Sequence, residues 1–230
     1  MANLVIGIEG LVGAGKTSIC RELLKFIPNS ILFHGGNLYR AIVYAMMKNG
    51  KNLEELKKQG KDLDIKEMMD LFNVKIELEN RETVIYIDGE KIDEDIIQSK
   101  EASMAVSTVG GKADNRKLFA YAKNLIEEQK SLYNVIVSGR ALTTIYPELD
   151  YHFFITADLD ERVKRKCMQY NGKETFEDIK NNIIKRDKLQ EEAGFYRISE
   201  NTKEIDVTDC KTVKESTEKV LSNIKLPQVV

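Results

Sequence analysis

The segment Gly10-Leu11-Val12-Gly13-Ala14-Gly15-Lys16-Thr17 constrains this chain more than any other. It fits the spacing G-x-x-x-x-G-K-[ST], in which glycines let the backbone turn its amides towards a phosphate group. The apolar run Leu4-Val5-Ile6-Gly7-Ile8 precedes it and predicts a strand over residues 4–9; a helical pattern over 18–26 follows. A strand that turns through glycines into a helix N-terminus is a ready anion site, because N–H groups converge there and the helix dipole favours negative charge. Lys16 is placed to reach the outer phosphates of a nucleotide, and Thr17 to offer its hydroxyl to Mg2+. Gly10, Gly13, Ala14, Gly15 and Ser18 complete the candidate nucleotide-binding loop.

Composition narrows the classes around that motif. A chain of 230 residues holds one α/β domain with a sizeable core and needs no disulfide or metal staple. A net charge of -2 gives no basic surface for nucleic acid, so an acidic ligand must be met by local Lys/Arg clusters. Cys20, Cys167 and Cys210 form no C-x-x-C pair, and His34 and His152 lie far apart, so neither a zinc site nor a metal cluster is expected. Met1-Ala2-Asn3 carries no secretory signal, and no apolar run reaches membrane-spanning length. The expectation is a soluble, cytoplasmic monomer with no membrane or nucleic-acid partner.

Further strands are expected at Ile31-Leu32-Phe33, over 134–138, at Tyr151-His152-Phe153-Phe154-Ile155, and late, at Ile205-Asp206-Val207-Thr208. Helical patterns cover about 41–48, 53–60, 65–71, 96–109, 116–132, 159–170, 175–189 and 212–224. His34-Gly35-Gly36-Asn37 reads as a polar, flexible corner. Val74-Lys75-Ile76-Glu77-Leu78-Glu79 and Thr83-Val84-Ile85-Tyr86-Ile87 alternate with period two around Asn80-Arg81-Glu82. They read as a hairpin, a small antiparallel insertion rather than part of a parallel sheet. Strands alternating with helices elsewhere predict a parallel sheet covered on both faces.

In such a sheet, ligands bind beyond the carboxyl ends of the strands. The loops over 10–17, 34–40, 138–140 and 156–165 end there. Arg40 and Arg140 stand in two of them, and a planar guanidinium suits phosphate because it donates two parallel hydrogen bonds. The run Asp160-Glu161-Arg162-Val163-Lys164-Arg165-Lys166 reads first as a solvated face with i,i+4 pairs such as Glu161–Arg165. Arg162 and Arg165 are also one turn apart, and with Arg186 they could bring positive charge over a transferring phosphate. Phosphoryl transfer needs mainly positioning and charge neutralisation.

Over most of its length the chain resembles the bacterial cytidylate kinases, in the nucleoside monophosphate kinase group. The resemblance runs through Ile8-Glu9-Gly10 to Lys16-Thr17-Ser18, Gly36-Asn37-Leu38-Tyr39-Arg40-Ala41, Ala105-Val106-Ser107, Arg116, Gly139-Arg140, Phe153-Phe154-Ile155-Thr156-Ala157, Glu161-Arg162 and Ile184-Lys185-Arg186-Asp187. It implies a three-layer P-loop NTPase fold with a parallel sheet, in one kinase domain. The core would comprise 1–36, 112–160 and 204–230. Residues 37–111 would form a monophosphate-binding insertion with a small antiparallel β element, and 161–203 a helical lid region. The resemblance further implies ATP-dependent phosphorylation of CMP or dCMP to CDP or dCDP. Lys16 and Thr17 would serve ATP and Mg2+. Gly36, Arg40 and Arg140 would hold the monophosphate, and Ser107 and Arg116 would read the cytosine. Arg162 and Arg165 would belong to the lid, and Arg186 would approach the transferred group.

The chain departs from the family pattern in places. His34-Gly35-Gly36 stands for Asp-Ser-Gly, and Ser138-Gly139-Arg140-Ala141 for Asp-Gly-Arg-Asp. Gln190 and Ala193 replace an aspartate and an arginine beyond Arg186-Asp187. Serine can bond a metal-bound water but carries no charge, and Ala141 offers a base no hydrogen bond. Two other readings stay open on the sequence: a kinase of the same fold acting on a nucleoside, and a nucleotide-binding regulator that has lost turnover.

Overall fold

The computed structural model describes residues 2–50, 65–97, 116–170, 174–196 and 198–225. Its centre is β1 (Val5–Gly10), buried at every position. A strand flanked on both sides by others, with helices over both faces, is largely apolar; the exception here is Glu9, whose carboxylate meets His152 Nε2 at 2.6 Å. Parallel partners follow in the order β2 (Ser30–His34), β6 (Asn134–Ser138), β1, β7 (Tyr151–Thr156), β8 (Thr202–Asp206). Ile6 lies opposite Ile136 on one side and Tyr151 on the other. Successive side chains alternate between faces. Ile6 and Ile8 join α1 (Lys16–Leu23) and α9 (Val213–Leu221) in one core layer. Val5, with Val135 and Val137, packs on the other layer against α5 (Arg116–Lys130) and α6 (Leu142–Ile145).

The hairpin is where the structure departs most from expectation. β3 (Val74–Glu79) and β4 (Glu82–Ile87) pair antiparallel, and β5 (Glu90–Lys91) returns along β4. Asn80 and Arg81 both have positive φ, 48° and 70°, which two-residue hairpin turns demand. The hairpin does not stand apart, however. β4 meets β2 in parallel at Leu32 and Glu82, making a single eight-stranded sheet. The cause lies in the turn itself. The Arg81 carbonyl accepts from Leu32 N at 2.8 Å, and its guanidinium donates to Ser30 O and Ser30 Oγ, each at 2.7 Å.

Two further expectations are corrected. The corner at 34–37 is no loop: α2 (Gly35–Lys48) begins as soon as β2 ends. Leu38, Ala41, Ile42 and Ala45 form a buried stripe at helical spacing over the hairpin, and that stripe extends the helix back over the glycines. The late strand is Thr202–Asp206 rather than 205–208. Asp206 Oδ1 accepts from Thr208 N at 2.8 Å and so turns the chain out of the sheet. α3 (Ile65–Leu71), α7 (Leu159–Tyr170) and α8 (Phe176–Glu192) follow their sequence patterns, with Thr175 capping α8 through Asp178 N. The expected helix over 53–60, and that over 96–109 beyond its first turn in α4 (Glu94–Ile97), lie outside the described residues.

Candidate active site

Gly10 closes β1 at φ 143°, where a Cβ would stand 2.1 Å from the Ile155 carbonyl oxygen. Only glycine lets the chain turn there. Gly15 caps α1 at φ 93° with no side-chain acceptor, and the first turn of α1 holds no acid. The converging amides of that helix start are left for an outside acceptor. Lys16 folds back onto the loop, its Nζ donating to Gly10 O at 2.9 Å and Leu11 O at 2.6 Å. Desolvation, and then the nearby Arg140 charge, push its ammonium well below the ordinary lysine pKa.

The loop is braced from α7 and α8. Arg162, 7% exposed, donates to Val12 O at 3.0 Å, to Ala157 O at 2.9 Å and to the Asp187 carboxylate. Asp187 also accepts from Val12 N at 3.1 Å and from the Tyr196 hydroxyl at 2.6 Å. Arg165 pairs with Glu161 at 3.1 Å, and donates to Ala14 O at 3.3 Å and Val207 O at 2.8 Å. Both arginines therefore grip loop carbonyls, and the i,i+4 pair expected of Glu161 and Arg165 forms.

A cavity of about 710 Å³ opens beyond the carboxyl ends of β1, β2 and β6. The loops over 10–17, 34–40, 138–140 and 156–165 all contribute to its wall. Gly13, Ala14, Gly15, Lys16, Thr17 and Ser18 line it on one side, and Gly36, Arg40, Arg140 and Arg186 elsewhere. Among the described residues the wall carries eight lysines and arginines and one carboxylate, Glu161. Arg21 and Arg165 are paired with Glu82 and Glu161, but the excess of positive charge on the rest of this concave surface suits an anion, because such a surface focuses its field. Arg140 Nε donates to Gln190 Oε1 at 2.5 Å and Nη1 to Gly139 O at 2.9 Å, with the Tyr196 ring 5.8 Å below. Arg186 is 8% exposed, and its Nε has no hydrogen-bond partner. Burial first, and then Arg140, lower its pKa. The Tyr39 hydroxyl on the same wall is likewise buried without a partner, and desolvation pushes it up to about 12.

Other candidates fall outside this wall. Arg116 stands exposed at the start of α5. Arg162 lies behind the loop rather than on the cavity. Ser107 is outside the described residues. Ala141 holds a left-handed conformation, φ 53° and ψ 32°, capping α6 without a side-chain bond, and Ala193 caps the end of α8. Sequence reasoning gave no role to Asp187 or Tyr196 and read Gln190 only as a loss. One signal was present: Ile179, Ile183, Arg186 and Gln190 continue a single buried stripe of α8 at helical spacing.

For Mg2+, the donor set is thin. Thr17 and Ser138 are on the wall, and among the described residues no three His, Cys, Asp or Glu side chains gather as a metal site. That suits an ion held largely by nucleotide phosphates and water, with a hydroxyl as protein ligand.

The family model described as cytidylate kinase matches residues 6–226. A cytidylate kinase of Clostridioides difficile (strain 630) is 32% identical over 232 residues, covering 98% of this chain and 100% of that protein. One from Caldanaerobacter subterraneus subsp. tengcongensis is 29% identical, covering 98% and 97%. Among solved structures, a gluconokinase from Sinorhizobium meliloti 1021 is similar at 13% identity and TM-score 0.46, over 96% of this chain and 91% of that one. With a family model spanning the sheet, the loop and every cavity arginine, and relatives aligned from end to end, the chain belongs to the cytidylate kinase family.

Proposed function

We propose that this chain transfers the γ-phosphoryl group of ATP to CMP or dCMP, giving CDP or dCDP. The observation that carries the reading is the cavity wall, where lysines and arginines outnumber the single carboxylate. Lys16 and the uncapped amides of α1 suit the triphosphate. Arg140, Arg186 and Arg40 suit a monophosphate across from it. The family kinship adds the direction of transfer and the pyrimidine acceptor.

In this reading no residue need act as a strong base, because a monophosphate oxygen is already nucleophilic. Arg140 and Arg186 neutralise charge on the group in transit. Lys16 leaves the Gly10 and Leu11 carbonyls for the phosphates. Mg2+ would neutralise the phosphates in place, with the Thr17 hydroxyl as its protein ligand. Arg162 and Arg165 keep the loop in shape through Val12 O and Ala14 O. Residues 37–111 serve as the acceptor-side insertion and 161–203 as the lid region. Ser107, within that insertion, and Arg116, just beyond it, serve the base side. The enzyme works in the cytoplasm as a monomer; among the described residues, no helix is long and apolar enough to cross a membrane.

The test is a coupled ATP-consumption assay across ribo- and deoxynucleoside monophosphates, with free nucleosides as controls. Turnover with CMP and dCMP ahead of the other monophosphates is the expected result. Turnover with nucleosides alone, or none with any acceptor despite ATP binding, overturns the proposal.

A further inference from the structure

We infer that Glu82 is a positioning residue for the acceptor side of the cavity: from the hairpin turn it joins His34 of β2 to Arg21 of α1, and so holds the body made of α2 and the hairpin at one angle to the nucleotide loop. This deepens the reading above and rests on it for the identity of the acceptor. Glu82 opens β4, and both its oxygens accept from Arg21 Nε at 3.0 Å. Oε2 also accepts from His34 Nε2 at 3.0 Å. An ionised carboxylate has no proton to give, so the imidazole is the donor in that bond. The His34 side chain is 6% exposed, which shields the centre of the cluster from water while Arg21 stands at its rim.

The seam that this cluster closes is thin. Among the described residues the ladder between β2 and β4 has one pair, Leu32 and Glu82. The Leu32 and His34 amides cross it, to Arg81 O at 2.8 Å and Thr83 Oγ1 at 2.9 Å. Arg81 ties the turn to Ile27 and Ser30, before and at the start of β2. Glu82 ties it to the opposite end of β2 and also to α1. Beyond the seam, Leu38, Ala41 and Ile42 of α2 pack with Val74, Ile85 and Ile87 of the hairpin in one buried cluster, so the two elements move together. α2 follows β2 through Gly35 and Gly36, small residues at an element junction of the kind that absorbs a hinge rotation. Tyr39 and Arg40 of α2 stand on the cavity wall, as do Arg21 and His34. A rotation about the two glycines carries the groups on α2 away from the nucleotide loop, and it must break the Glu82 contacts. When only a fraction of the molecules is competent to bind, the apparent affinity falls by that fraction. Loss of Glu82 therefore appears in the KM for the acceptor, at a kcat that saturation restores.

The experiment compares the wild type with Glu82→Ala, Glu82→Arg and the exchange Arg21→Glu with Glu82→Arg, assayed well below each melting temperature. Glu82→Ala should raise the KM for CMP about fivefold, with kcat and the KM for ATP within about twofold of wild type. Glu82→Arg sets like charges against each other and should raise that KM further; the exchange restores an opposite pair and should bring it back towards wild type. Hydrogen exchange at the Leu32 and His34 amides reads the seam without turnover, and should be several-fold faster in Glu82→Ala, with the β1 amides as reference. A Glu82 that serves stability alone would lower the melting temperature of Glu82→Ala and leave the KM for CMP unmoved, which overturns the inference. An exchanged pair no nearer wild type than Glu82→Arg alone overturns it as well. Unchanged exchange at the seam and unchanged KM, in an enzyme that phosphorylates CMP, would sink the tie and spare the reaction. Faster exchange at the seam in a protein that turns over no monophosphate would sink the reaction and leave the tie standing.

Discussion

Removing the Asp187 carboxylate should loosen the nucleotide loop, by an amount that can be worked from its partners. Asp187→Ala takes the acceptor from Arg162, from Val12 N and from the Tyr196 hydroxyl together. The Arg162 side chain is only 8% exposed and would keep just two carbonyl partners, Ala157 O and Val12 O. Breaking one side of a buried ion pair costs about 3–5 kcal/mol; with the Asp187 side chain 19% exposed, the lower end applies, about 3 kcal/mol. The stranded tyrosine hydroxyl adds about 1 kcal/mol. For a chain of this size each kcal/mol shifts the melting temperature by about 2–4 °C, so a fall of about 10 °C is expected. Thermal unfolding by circular dichroism measures it, and hydrogen exchange at the Val12 amide reports the loop directly. Adding Arg162→Met to Asp187→Ala should recover part of the loss, because the stranded charge goes with it. A fall below about 3 °C, or a double variant less stable than the single by the full Arg162 effect, would refute the reasoning.

Other substitutions probe separate parts of the molecule. Lys16→Ala should abolish phosphoryl transfer with little loss of stability, since its ammonium is held away from its ordinary state by burial and by Arg140; retained turnover in the coupled assay would remove it from the mechanism. Arg140→Ala should raise the acceptor KM strongly and lower kcat, and unchanged kinetics would mean that the acceptor lies elsewhere. Ala141→Gly should raise stability by about 1 kcal/mol in a denaturant melt, because a left-handed φ of 53° strains an alanine. The Glu82 carboxyl is held below the usual carboxylate range first by the His34 hydrogen bond and further by Arg21. Its contribution is therefore present above the unfolded pKa and lost as pH falls through the folded one; the stability gap between wild type and Glu82→Gln should be flat near neutrality and close below about pH 4.

Much of the frame was legible because its signals are local. The glycine loop, the strand at 134–138 and the helices at 65–71 and 159–170 each announce themselves by spacing or by an unbroken apolar run. The misreadings come from distance and exposure. Gly35 and Gly36 read as a break, but the stripe from Leu38 onwards, buried against the hairpin, carries the helix through them. β8 is exposed at three of its five positions, so its period is blurred and its extent is set by pairing with β7. The hairpin joins the main sheet through Arg81, whose reach to Ser30, 51 residues away, no local pattern encodes. The site divides in the same way. Arg40 and Arg140 follow from the rule that ligands sit at strand ends. The Asp187 bond to Val12 N spans 175 residues and is invisible before the chain is folded.

The distribution of acids explains how a chain with a net charge of -2 presents a cationic cavity. Carboxylates are placed on the arginines that hold the protein to itself: Asp187 on Arg162, Glu161 on Arg165, Glu82 on Arg21. Arg140 instead receives an amide oxygen from Gln190 and a backbone carbonyl, and Arg186 has a bare Nε. An arginine paired with an acid has most of its field cancelled at a distance, whereas one held by neutral groups projects its full charge. The charge of the partner therefore sorts the site's arginines into those that brace the protein and those whose charge is left for a ligand in the proposed reaction. On that criterion Arg162, grouped by sequence with the arginines acting on the transferred phosphate, belongs with the braces, and exchanging it for lysine should lower stability more than it raises either substrate's KM.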